Sequence, residues 1–157
     1  MLTTERRYIL PKLLEEPLGT RSDISKRERL SYEIVKQYFL RKEGIELARP
    51  SRTPCDLASA DGKVFVEVKS IKEQYWNMGP ISDKGHRLAK ESLKGQFRYE
   101  VHLVRFVDED KVAFHYVMPA RDVLKYTTPE RKWFFTRDPR IEPPKHMVER
   151  LNMDHWH

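Results

Sequence analysis

A single cysteine, Cys55, in a chain of 157 residues leaves nothing from which to build an internal disulfide framework. That scarcity fits an intracellular, cytoplasmic address better than an oxidising one. Long apolar runs are missing as well, and none approaches the ~20 residues that span a bilayer. The opening Met1-Leu2-Thr3-Thr4-Glu5-Arg6-Arg7 lacks the apolar centre of a secretory signal. With one cysteine and no His-x₃-His pair, a structural zinc site is not expected. No repeat, low-complexity tract or interior linker divides the chain. The expectation is one domain over 1–157, with an arm at 1–24, a core at 25–120 and peripheral elements at 121–157.

What is present is charge. The formal net charge is +6 and the isoelectric point about 9.4. This balance suits a phosphate-bearing partner.

Ser25-Lys26-Arg27-Glu28 has the form of a capping box, and Gly44 is a good left-handed terminator, so a helix is expected from Ser25 to about Lys42. Its apolar stripe is Leu30, Ile34, Val35 and Tyr38, with Glu33 at the edge of that stripe. Ile45–Ala48 reads as a strand. A second helix is expected from Ser82 or Asp83 to about Phe97, with Leu88, Ser92 and Leu93 inward and His86, Arg87, Lys90 and Lys94 largely outward. Tyr99–Val107 and Val112–Met118 read as strands, Arg121–Tyr126 as a short helix and Trp133-Phe134-Phe135 as a small strand. Further helices are expected around Thr4–Leu14 and over 143–152. Strands framed by helices predict an α/β (α+β) fold of order αβββαββ, a central mixed sheet flanked by helices.

The most informative stretch is Pro54-Cys55-Asp56-Leu57-Ala58-Ser59-Ala60-Asp61-Gly62-Lys63-Val64-Phe65-Val66-Glu67-Val68-Lys69. Asp61-Gly62 between two strand-like runs is a hairpin signal. A turn centred there sets Ser59 against Val64, Leu57 against Val66, and Asp56 against Glu67. Val64, Val66 and Val68 then share a core-facing side, while Phe65, Glu67 and Lys69 share the other. Cys55 points to the valine side and reads as core rather than nucleophile. Opposed carboxylates either share a proton or share a cation. The plain alternative is a surface hairpin in which Lys69 pairs with an acid.

These residues resemble the PD-(D/E)xK nuclease superfamily. Pro54 with Asp56, then Glu67-Val68-Lys69 on the next strand, follows its motif, with one extra residue between the proline and the acid. The resemblance covers roughly 25–120. It implies a restriction-endonuclease-like core and metal-dependent hydrolysis of DNA phosphodiester bonds. Asp56, Glu67 and the Val68 carbonyl would hold Mg²⁺, or Mn²⁺ in its place, and Lys69 would orient the attacking water. Glu33 resembles the helix carboxylate that some branches, archaeal Holliday-junction resolvases among them, use as an outer ligand or base. Arg49, Arg52, Lys72, His86, Arg87 and Lys90 are candidates for a phosphate-binding rim. Double-stranded DNA is the expected partner, and a homodimer would supply the second site that duplex cleavage needs. The alternatives are a non-catalytic nucleic-acid-binding protein on the same fold and a protein-interaction module.

Overall fold

The computed structural model describes residues 3–7, 26–50, 55–72, 81–107, 110–126 and 148–153. In chain order these form β1 (Thr3–Arg7), α1 (Lys26–Glu43), β2 (Leu47–Ala48), β3 (Leu57–Ser59) and β4 (Val64–Lys72). There follow α2 (Asp83–Ser92), β5 (Arg98–Val107), β6 (Val112–Pro119), α3 (Ala120–Tyr126) and β7 (Val148–Asn152). The fold is α+β. Strands β2 to β6 make a mixed sheet flanked by helices, and β7 and β1 extend it, in the order β1-β7-β6-β5-β4-β3-β2. β4 and β5 run parallel, as do β1 and β7, and the other neighbours are antiparallel. Parallel strands need a crossover, and α2 lies on the one joining β4 to β5.

Two apolar layers hold the helices to the sheet. On one face Leu30, Ile34, Val35 and Phe39 of α1 meet Leu57, Val64, Val66, Val104 and Phe106. On the other, Ala89 of α2 and Val123 of α3 meet Tyr99, Val101, Leu103 and Met118. Full burial of each large side chain contributes about 1.5–3 kcal/mol. α1 stops where Gly44 adopts a φ of 66° and its N–H returns to the Leu40 carbonyl. α2 begins with Ser82, whose hydroxyl accepts the Gly85 N–H. A Cβ at Gly85 would stand 2.7 Å from Ile81 Cγ2 and 3.0 Å from the Tyr99 hydroxyl, so glycine lets α2 sit close to the sheet.

Several expectations change. Thr3–Arg7 is a strand, not the start of a helix, and the terminal segment Val148–Asn152 is a strand as well; the two pair with each other. Leu151 explains the second case, because it lies opposite Ala113 and fills the α1-side core. Both segments therefore belong to the sheet rather than to an arm or a periphery. α2 ends at Ser92, well short of Phe97, as the chain turns through Gly95 at a φ of 91°. Within α2, His86 is buried and Leu93 beyond it is exposed, the reverse of the expected faces. Trp133-Phe134-Phe135 lies outside the described residues.

Beneath α1 runs a polar chain. Arg98 donates to both oxygens of Glu43, at 2.6 and 3.1 Å, and to Glu100 Oε2 at 2.8 Å. Glu100 Oε1 lies 2.8 Å from His102 Nε2, and His102 Nδ1 lies 2.8 Å from His115 Nε2. Burial alone would raise the Glu100 pKa, but hydrogen bonds and charge from His102 and Arg98 hold it down to about 2. An ionised Glu100 makes His102 Nε2 a donor, leaving one proton shared between the facing imidazole nitrogens. Burial, and then the charge of His102, hold the His115 pKa well below its ordinary value.

Candidate functional site

The hairpin forms in the expected register: Leu57 faces Val66 and Ala58 faces Phe65. Its turn is longer than a two-residue one. The Gly62 N–H donates to the Ser59 carbonyl, Gly62 takes a φ of 71°, and the Ser59 hydroxyl accepts the Lys63 and Val64 N–H groups. β4 then continues past the start of β3, so from Val68 onward β3 no longer covers its edge.

Asp56 stands at that edge. Its N–H donates to the Val66 carbonyl at 3.1 Å. Its Oδ2 accepts the Val68 N–H at 2.8 Å, in place of a neighbouring strand's carbonyl. Its Oδ1 accepts the Tyr32 hydroxyl at 3.2 Å. In a strand, a residue's N–H and C=O point to the same edge, so the Val68 carbonyl faces the Asp56 side too. Glu67 comes from the sheet face opposite α1, and its carboxyl is within hydrogen-bonding reach of the Asp56 carboxylate. Lys69, two residues on, places Nζ 3.8 Å from Glu67 Oε1.

Burial, then the Asp56 charge, push the Glu67 carboxyl up to about 8, with Lys69 acting in the opposite sense. The pair therefore carries a proton near neutrality unless a cation replaces it. Tyr32 and Tyr99 border the acids. Burial, followed by the negative charge of Asp56 for Tyr32 and of Glu67 for Tyr99, raises both phenol pKa values. Together Glu28, Ser31 and Tyr32 of α1, Asp56, and Glu67 to Ser70 line a polar cleft of about 300 Å³.

The structure thus brings Asp56, Glu67, Val68 and Lys69 together. Glu33 is not among them. It is buried at 2% exposure, 3.5 Å from Lys36 Nζ, and it lines a different cleft with Gln37, Leu40, Glu46 and Leu47. At 3.6 residues per turn Glu33 lies about 140° around α1 from Glu28, which faces the acids. Glu28 had only the signature of a capping residue, and Tyr32 that of a stripe neighbour, so neither announced itself in the sequence. Of the expected rim, Arg87 and Lys90 are exposed. His86 is not a rim residue: it is buried, with Nδ1 3.0 Å from the Ser82 carbonyl. Arg52 lies outside the described residues, and Lys72 ends β4 with its side chain outside them.

The donor set can be weighed for a divalent ion. No cluster of three or more histidine, cysteine, aspartate or glutamate side chains suited to a metal occurs among the described residues. Two carboxylates and a strand carbonyl fit a hard ion that keeps several of its waters, as Mg²⁺ does, rather than a fully caged one. No helix among the described residues is long and apolar enough to cross a membrane. No family model, curated protein or solved structure matches the chain.

Proposed function

We propose that this protein is a metal-dependent nuclease of the PD-(D/E)xK kind that hydrolyses phosphodiester bonds in DNA. The observation that carries the reading is the convergence of Asp56 and Glu67 at an uncovered strand edge, with Lys69 beside them. Mutual repulsion of two half-buried acids is a cost to the fold, offset when a cation binds between them. The order helix, three antiparallel strands, helix, parallel strand also supports a restriction-endonuclease-like core.

In this reading Asp56 and Glu67, with the Val68 carbonyl, would hold Mg²⁺, and Mn²⁺ would substitute. The bound ion supplies a more acidic water and neutralises charge developing on the phosphate. Asp56 is held for this role by Val68 N–H and Tyr32. Lys69 orients the attacking water through its ammonium and adds positive charge beside the phosphate. Glu28, which lines the same cleft from α1, takes the outer-carboxylate role expected of Glu33.

The test is incubation with linear and supercoiled duplex DNA, single-stranded DNA and RNA, in Mg²⁺, Mn²⁺ or EDTA, beside Glu67→Ala and Lys69→Ala. Cleavage of DNA should require the metal and fall by about 10²-fold or more in each variant. Cleavage that ignores EDTA or survives both substitutions sinks the mechanism. Salt-sensitive binding with no cleavage would favour a non-catalytic nucleic-acid-binding protein.

A further inference from the structure

We infer that Tyr32 couples substrate binding to the acid pair: its hydroxyl fixes Asp56, and its ring carries Arg49 beside the cleft as the cation for a backbone phosphate. The inference rests on the nuclease reading and names a substrate contact and a positioning residue within it.

Asp56 is held through both oxygens by neutral donors, the Tyr32 hydroxyl on Oδ1 and the Val68 N–H on Oδ2. Neutral donors set the orientation of the carboxylate without cancelling its charge, which stays available to a cation. A lysine or arginine in the place of Tyr32 would hold Asp56 equally well and discharge it. Tyr32 is thus a positioning residue of the kind whose loss weakens metal affinity without removing a ligand.

The same ring has a second neighbour. The Arg49 guanidinium carbon lies over Tyr32, 5.8 Å from the ring centroid, and its charge acts on the Tyr32 hydroxyl. Such a contact is enough to bias the direction of a long side chain. Pro50 follows Arg49 and restricts its backbone to extended conformations. Among the described residues no carboxylate forms an ion pair with Arg49.

A phosphodiester approaching Asp56 and Glu67 meets like charge, and Lys69 is already engaged with Glu67 at 3.8 Å. Arg49 supplies the compensating cation. Its planar fork suits two oxygens of one phosphate. The face of Tyr32 keeps that fork next to the residue that orients Asp56.

The experiment compares Tyr32→Phe, Tyr32→Leu and Arg49→Ala with the full chain, using linear duplex DNA. It reads kcat, KM, the salt dependence of DNA binding in EDTA, and the Mg²⁺ concentration giving half the maximal rise in Tm. Arg49→Ala should raise KM about tenfold and lower the salt slope by about one, with kcat nearly unchanged. Tyr32→Phe keeps the ring, so KM should hold, while the Mg²⁺ midpoint rises about tenfold and kcat falls. Tyr32→Leu should show both effects. A wild-type KM and salt slope in Arg49→Ala, or a wild-type Mg²⁺ midpoint in Tyr32→Phe, overturns the inference while cleavage still requires Glu67. Cleavage independent of Glu67 would overturn the nuclease reading and this inference with it.

Discussion

Glu67 and Glu100 sit one register step apart on neighbouring parallel strands, Glu67 opposite Val101 and Glu100 opposite Val66. Their exposures are similar, 22% and 13%. Their carboxyls nevertheless move in opposite directions, Glu67 up to about 8 and Glu100 down to about 2. Burial raises both, so the neighbours decide. Glu100 faces Arg98 and His102, each at 2.8 Å, and its charge is answered inside the fold. Glu67 faces Asp56 and has a lysine only at 3.8 Å. One glutamate completes a structure, while the other leaves charge to be answered from outside.

The sharpest way to break this comparison is to neutralise each acid in turn. Glu100→Gln takes the carboxylate from buried His102 and leaves Arg98 only Glu43, and should destabilise the protein by about 3–5 kcal/mol. Glu67→Gln spares the fold the cost of keeping that acid protonated and should stabilise it by on the order of 3 kcal/mol in EDTA at neutral pH. Urea unfolding measures both, and equal losses would erase the distinction.

The pH dependence should split the same way. Glu67 has a raised folded pKa, so its contribution is fully present below about 4.5 and is lost as pH rises towards 8. That loss is on the order of 5 kcal/mol in EDTA. Glu100 has a lowered one, so its contribution is present above about 4.5 and is lost as pH falls towards 2. His115, held low by burial, adds a loss of stability as pH falls below about 6.5. Tm measured in EDTA should decline as pH rises from about 4.5 to 8 for the native protein, and this decline should be absent in Glu67→Gln. A smaller effect is expected at Arg98→Ala, about 1 kcal/mol, because that guanidinium is 44% exposed. Lys94→Ala removes only an exposed i,i+3 pair with Glu91 and should change stability by less than about 0.5 kcal/mol.

The legible parts of the molecule are those whose signals are local. Asp61-Gly62 and the alternating valines give the Leu57–Val66 register, and Gly44 marks the end of α1. The pairing of Thr3–Arg7 with Val148–Asn152 joins the two ends of the chain and leaves no local pattern to read. Glu28 and Glu33 differ by a rotation around α1 that depends on how the helix is seated, and only the packing of Leu30 and Ile34 settles it. His86, His102 and His115 are polar by type and buried by context, a combination that composition hides.

The measurement that bears most directly on the central claim is the Mg²⁺-induced rise in Tm of native protein and Glu67→Gln, at pH 8 and at pH 5. A cation-binding pair predicts a clear rise for the native protein at pH 8, where the ion need not displace a tightly held proton. It predicts a smaller rise at pH 5 and little or none for Glu67→Gln at either pH. Equal Tm with and without Mg²⁺ in the native protein, or an equal rise in Glu67→Gln, would contradict it.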